Sequence, residues 1–353
     1  LTERRQLTLD DGEAGLAIIE AKLASDPTNK EWNEARHWML MSLGRLSEGW
    51  PEYKWHLGLG SQVSYDTFPV AKWDGSDLTG KHVLVWTDHG IGDQVFAAGM
   101  FPDLIKIAGS VTIMCNRRLA PVFRRSFPQA ITYRVGDPVP RRLADWRFDF
   151  QLSHADVGAA VRPHLNFRQP AYLQADPVKK LRFRDKYRAD GKRLIGLSWW
   201  SQNAIHGLGK SMCLTFLAPL LQSSGARLVN LQYGDTSEEL AELGKAGVEI
   251  VNDQSFNQLT DLDSFVAQVA ALDFVITTSN TTAHVAGALG KPGVVLLPRG
   301  STGRFWYWHN ERADSPWYPS LTLARQETPG DWPSAVRRAH PTVWNQAHAQ
   351  TAA

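Results

Sequence analysis

The chain has 353 residues, 43% of them hydrophobic and 21% charged, with a formal net charge of +2. That length exceeds what one hydrophobic core usually serves, so two domains and an appendage are expected in an ordinary soluble, globular composition. A charge this near balance removes the polyelectrolyte basis for binding nucleic acid or an anionic membrane. Cys115 and Cys213 are the only cysteines. They indicate neither a disulfide framework nor a zinc site, and they fit a reducing, cytoplasmic compartment. No signal-peptide pattern or long apolar span appears, and the chain opens on Leu1, as a piece of something longer would. The 14 tryptophans are many, and several near the C-terminus suit stacking or carbohydrate contact as well as packing.

Residues 1–60 read as a helical segment. Ala14, Leu16, Ile19 and Leu23 recur at helical spacing until Pro27, and a second run over 32–46 carries Met39, Leu40, Leu43 and Leu46 on its apolar side. One helix pair cannot bury its apolar face alone, so it must dock on the remainder or on further repeats. A first α/β domain is expected over 61–180. His82–Trp86 is its opening strand, the turn Asp88-His89-Gly90-Ile91-Gly92-Asp93 leads into one helix through Ile107, and strands follow at 111–114, near Ile131 and near Phe148. A helix at 119–127 lies among them. Residues 162–190, rich in proline and basic groups, read as the interdomain linker.

A second α/β domain is expected over 190–330. Strands at 194–199, 228–231 and 248–251 alternate with helices at 215–221, 237–243 and 263–271. Phe274-Val275-Ile276 is then a buried strand, Ala283–Leu289 a short helix stopped by Gly290 and Pro292, and Val294–Leu297 the next strand. Strands alternating with helices at this spacing imply parallel sheets with right-handed crossovers. Residues 331–353 read as a terminal helix and tail, the helix able to cross back to the first domain.

Four stretches at strand C-terminal ends are candidates for chemistry, where doubly wound folds bind anionic ligands. The first is Gly90-Ile91-Gly92-Asp93-Gln94. It is neither a Walker loop nor GxGxxG, so Asp93 stands out as either a helix-start cap or a general base. The second is Trp200-Ser201-Gln202-Asn203 with Lys210-Ser211, whose cation suits a diphosphate as well as solvent. The third is Gln232-Tyr233-Gly234, suited to a base or ribose. The fourth is Ser279-Asn280-Thr281-Thr282 with His284, a helix cap or a phosphate site. Asp261-Leu262-Asp263 spells DxD, but apolar Phe265 and Val266 follow it and favour a cap. No HExxH or closely spaced histidine pair occurs, so neither metal nor other cofactor is expected.

The ordered set GIGDQ, LSWWSQN, KS, LQYG, SNTTAHVAGALGKP and SPWYP, with the helical segment SLGRLSEGWPEYKWHLG before it, resembles the bacterial tetratricopeptide-linked glycosyltransferases. These are distantly similar to the heptosyltransferases of glycosyltransferase family 9. The resemblance covers about residues 42–340 and implies a GT-B fold, two Rossmann-like domains facing a cleft, with a tetratricopeptide-like appendage.

It further implies an inverting, metal-independent enzyme. Asp93, in the matching Gly92-Asp93 pair, would be the catalytic base. Gly92, Gln94, Trp200, Ser201, Asn203, Lys210, Ser211, Gln232, Tyr233, Ser279, Asn280, Thr281, Thr282 and His284 would bind the nucleotide-sugar. The implied acceptor is a protein such as a flagellin, met through the N-terminal helices, or alternatively a lipopolysaccharide or other glycan. A scaffold with a decayed transferase domain is the reading from another class. Ser279 stands where heptosyltransferases carry Asp, and Tyr307 where many relatives carry Arg, so donor identity does not transfer. Arg304 is expected to reach the cleft, and Trp317 to pin the C-terminal segment.

Overall fold

The structure is a computed structural model that describes residues 7–56, 64–87, 90–134, 148–188, 191–203, 206–300 and 305–348, with side chains to 345. Asp88, His89 and Arg304 lie outside the described residues. The chain divides into two compact units. The first comprises Asp11–Phe167 and Tyr172–Gln174, and the second Leu1–Asp10, Arg168–Ala171 and Ala175–Ala353. Each is an α/β unit built on one parallel sheet.

In the first unit, helices α1 (Gly12–Ser25), α2 (Lys30–Ser42) and α3 (Leu46–Glu52) precede the sheet. Leu16, Ile19 and Leu23 form the buried stripe of α1. Asn29 starts α2 by accepting from the Trp32 N–H at 3.1 Å, the usual service of a cap. A Cβ on Gly49 would lie 2.4 Å from Met41 Sδ, so α3 approaches α2 only because that position has no side chain. Trp50 then docks this helical group. Its ring lies over Gly158 and its Nε1 donates to Arg162 O at 2.8 Å, so the apolar face of α3 is buried on the α/β part of its own unit.

The sheet of the first unit has strands β1 (His82–Trp86), β2 (Ser110–Cys115), β3 (Ile131–Arg134) and β4 (Phe150–Ser153) in the order β3-β2-β1-β4. The expected helix to Ile107 is two helices, α4 (Ile91–Ala98) and α5 (Phe101–Ile107). The break falls at Gly99-Met100, where Pro102 favours a fresh first turn and the Tyr172 ring leaves no room for a Cβ on Gly99. Helices α6 (Ala120–Ser126) and α7 (His154–Val161) are its remaining α-helices among the described residues.

The second unit begins its regular structure with α8 (Pro177–Tyr187), which corrects the reading of 162–190 as linker. Asp176 caps it, accepting from Val178 N and Lys179 N, each at 2.9 Å. Three of its cations are ion-pair partners rather than solvated linker charges. Lys179 meets Asp263 at 2.8 Å, Arg184 meets Asp273 at 2.8 Å and Lys186 meets Asp253 at 2.6 Å.

Strands β5 (Leu194–Ser198), β6 (Arg227–Asn230), β7 (Ile250–Val251), β8 (Phe274–Thr278), β9 (Gly293–Leu297) and β10 (Leu321–Arg325) run in the order β10-β9-β8-β5-β6-β7. Helices α9 (Ala218–Ser224), α10 (Ser237–Lys245), α11 (Leu262–Ala271) and α12 (Thr281–Ala288) connect them. Asp261 caps α11, accepting from Ser264 N at 2.9 Å, so the DxD stretch serves a helix start. The last helix, α13 (Trp332–His348), packs on the sheet of its own unit. Trp332, Ala335, Val336, Ala339 and Val343 form one buried stripe against Ile276, Val294 and Leu296 of its own sheet. Turning that stripe away would expose a row of core apolar side chains.

Candidate functional site

In each sheet, strand order reverses beside the first strand of the unit, between β1 and β4 in one and between β5 and β8 in the other. Open parallel sheets bind ligands outside the carboxyl ends of the strands at such a switch point. All the candidate residues named from the sequence follow strand C-terminal ends: β1 in the first unit, and β5, β6 and β8 in the second.

In the second unit the switch point is bound together by two buried amides. Gln232 Oε1 accepts from Ser198 Oγ at 3.0 Å, Trp199 N at 2.9 Å and Trp200 N at 3.0 Å, tying the end of β5 to the end of β6. Asn280 caps α12, its Oδ1 accepting from Thr282 N at 2.9 Å and from Thr277 Oγ1 at 3.0 Å. Its Nδ2 donates to Ser198 Oγ at 2.8 Å and Trp200 O at 3.2 Å, tying β8 to β5. Both side chains therefore hold backbone in place, Gln232 at 2% exposure and Asn280 at 5%. Thr281, half-buried, is the first residue of α12, and Thr282 is buried behind it.

The loop after β5 is built from its own polar groups. Ser201 N donates to Ser211 Oγ at 3.0 Å, and that hydroxyl donates to Gly207 O at 2.7 Å. Asn203 Oδ1 accepts from His206 N at 2.8 Å, and Tyr233 Oη accepts from Gln202 N at 2.8 Å. Trp200 meets Tyr233 edge-on at 5.0 Å, and Gly234, at φ 87°, lets the chain pass under the Trp200 ring.

Lys210 ends this loop at 7% exposure, with Nζ 4.6 Å above the Phe305 ring, where the negative face of the ring favours the cation. Phe305 stacks on Tyr307 at 5.4 Å, Tyr307 meets His284 edge-on at 5.1 Å, and Trp308 stacks on His284 at 5.7 Å. His284 Nδ1 is 2.8 Å from Tyr318 Oη, and Trp308 Nε1 donates to Ser279 Oγ at 2.8 Å. Burial, and after it the positive charge of Lys210, pushes His284 down to about pKa 3. The imidazole is therefore neutral near pH 7, and Lys210 is the cation of this cluster among the described residues. Trp317, buried at 2%, packs edge-on to Trp306 at 5.7 Å and so pins the segment as expected.

Beside the loop, at the carboxyl ends of β6 and β7, is a cavity of about 540 Å³ lined by Gln232, Tyr233, Asn252, Gln254, Asn257 and Gln258 among others. Its amides and its Tyr ring suit an uncharged polar heterocycle or a sugar. Asp253 borders it but is committed elsewhere: burial opposes its charge, yet bonds from Lys186, Tyr187 and Ser255 bring its carboxyl down to about 2. A larger cavity of about 600 Å³, lined by Lys192, Arg227 and Glu249, lies at the amino ends of β5–β7, the edge where parallel sheets seldom bind. The smaller cavity is the better candidate.

In the first unit Gly90 precedes α4, and Gly92 and the half-buried Asp93 lie in its first turn. Gln94, 8% exposed, accepts from Asn116 N at 2.8 Å and so fixes this turn to the end of β2. Sequence reasoning missed a neighbouring group at the end of β4. Tyr65 Oη donates to Asp156 Oδ2 at 2.5 Å, and Lys72 Nζ lies 4.2 Å above the Tyr65 ring. The available signal was Ser153-x-x-Asp156, a capping box directly after a strand.

No protein-family model matches the chain. It is 32% identical over 355 residues to Protein FlbA of Caulobacter vibrioides, an alignment that takes in 94% of this chain and 59% of FlbA. The chain thus spans about three-fifths of the length of that curated relative. Its fold resembles a glycosyl transferase family 9 protein from Veillonella parvula, with a TM-score of 0.56 at 14% identity over 76% of this chain and 98% of the other. The fold is GT-B-like. The ADP-heptose LPS heptosyltransferase II of E. coli shares it, with a TM-score of 0.50 at 15% identity over 75% of this chain and 99% of that one. At these identities the likeness concerns fold, and the chemistry is argued from the residues. No helix among the described residues is long and apolar enough to cross a membrane.

Proposed function

We propose that the protein is an inverting glycosyltransferase that moves a sugar from a nucleotide-sugar to an acceptor hydroxyl. The observation that carries this reading is the cluster at the β5/β8 switch point. A buried cation, Lys210, and the start of α12 lie at the same sheet edge as an amide-lined cavity of about 540 Å³. Lys210 and the positive end of α12 suit the growing negative charge of a departing diphosphate, and the cavity suits its base and ribose. Gln232, Asn280 and Ser211 act here by holding the backbone. Trp200, Ser201, Asn203, Tyr233 and Thr281 supply the surface for the donor, with Ser279, Thr282 and His284 fixed beneath it. Asp93 acts as the base that takes the acceptor proton while the hydroxyl attacks the anomeric carbon.

In this mechanism the protein's own cation meets the leaving group, so activity persists in a chelator. The acceptor is a protein hydroxyl, as on a flagellin, recognised through tetratricopeptide-like use of α1–α3; a glycan acceptor such as lipopolysaccharide is the alternative. A thermal-shift screen with CDP, UDP, GDP, ADP and CMP tests the core reading. Stabilisation by at least one of them supports it. Silence from all five would sink it in favour of a non-catalytic scaffold.

A further inference from the structure

The segment that follows β9 leads to the aromatic turn Trp306–Trp308, and two residues before α1 grip it at both ends. Asp10 Oδ2 accepts from Gly300 N at 2.8 Å, and its Oδ1 accepts from Arg299 Nη1 at 3.3 Å. Gly300 sits at φ 91°, a left-handed backbone that side chains resist, so this N–H is presented to the carboxylate at no steric cost. At the far end, Asn310 Nδ2 donates to Leu9 O. Arg299 is itself anchored, with N bonded to Gln326 Oε1 at 3.1 Å and Nε to Gln326 O at 2.8 Å. Across the turn, Arg325 donates to the carbonyls of Trp308, His309 and Arg312, which holds the non-glycine His309 at φ 53°.

We propose that Asp10 is a positioning residue for the donor site. Its bonds to Arg299 and Gly300, together with that of Leu9 to Asn310, hold residues on either side of Phe305, whose ring lies under Lys210, and of Tyr307 and Trp308, whose rings meet His284. The inference rests on the nucleotide-sugar reading for its effect on ligand, and on geometry alone for its effect on the loop.

The test compares Asp10→Ala and Asp10→Asn with the unaltered chain. Hydrogen exchange is followed over 299–310, with β9 and α12 as internal references. Exchange in 299–310 should rise roughly tenfold in the alanine variant, the scale of a lost charged bond, and less in the asparagine variant, which keeps an acceptor for Gly300 N. Unchanged exchange there, or a rise shared equally by β9 and α12, would overturn the proposal whether or not a nucleotide binds. With a nucleotide that stabilises the unaltered chain, the dissociation constant should rise roughly tenfold in Asp10→Ala. It should recover in part in Asp10→Asn at a temperature where both are folded. A faster-exchanging loop with unchanged affinity would overturn the link to the donor, and absence of nucleotide binding by every form would overturn only the function proposed above.

Discussion

The carboxyl edges of the two sheets solve the same topological situation differently. In the second unit the edge is tied by buried side chains, since Gln232 and Asn280 between them accept or donate seven of the bonds described above and leave their functional groups inside the protein. In the first unit Gln94 accepts from Asn116 N, and a carboxylate, Asp93, lies half-buried in the first turn of α4. Preorganised dipoles and a fixed cation suit charge stabilisation, where rearrangement is costly. A partly exposed carboxylate suits proton transfer, which needs contact with a mobile acceptor. The contrast teaches that the polar residues most conspicuous in a motif can be its framework rather than its contacts.

The largest expected effect breaks the first-unit side of this contrast. Asp93→Asn should lower turnover ~10²–10⁴-fold while nucleotide affinity stays near that of the unaltered chain. Steady-state kinetics beside a binding titration decide it, and near-normal turnover would remove Asp93 from the chemistry.

Next comes the framework itself. Asn280→Ala deletes a cap and strands several buried partners, so it should cost roughly 2–4 kcal/mol of stability, whereas Gln94→Ala should cost only about 1 kcal/mol. Equal losses in chemical denaturation would erase the distinction between the two edges.

A smaller effect is expected at the cation. Lys210→Met should weaken nucleoside diphosphate binding about tenfold and reduce its salt dependence. Affinity that is unmoved at low and high salt would contradict a phosphate role.

The smallest effect concerns pH. His284 takes up a proton near pH 6.5 when exposed but only at about pH 3 when folded, so the folded state binds fewer protons between those values. Its contribution to stability is complete above pH 6.5 and falls as the pH drops toward 3. Melting temperatures of the unaltered chain and His284→Gln at pH 7 and pH 5 should converge on acidification. Parallel shifts would place the acid sensitivity elsewhere.

Much of this arrangement is readable in the sequence, and the failures share a cause. The apolar runs of β1, β5, β8 and β9 and the polar start of α12 announce themselves because period and capping are local. Helix α8 was concealed because its cations look like a linker until Asp253, Asp263 and Asp273 arrive from distant sequence. The bonds by which Gln232 and Ser279 also hold the framework were equally hidden, since their partners Trp199, Trp200 and Trp308 lie far along the chain. Asp10 carried no local signal, since Arg299 and Gly300, to which its carboxylate bonds, lie near the other end of the chain.

The sequence by itself determined two α/β repeats, the turn carrying Gly92-Asp93 and the helix start at Asn280, since each follows from short-range sterics and hydrogen bonding. Tertiary structure alone decided which polar groups hold the site together and which remain for a ligand. That choice depends on desolvation, and desolvation is set by neighbours the chain brings near only on folding.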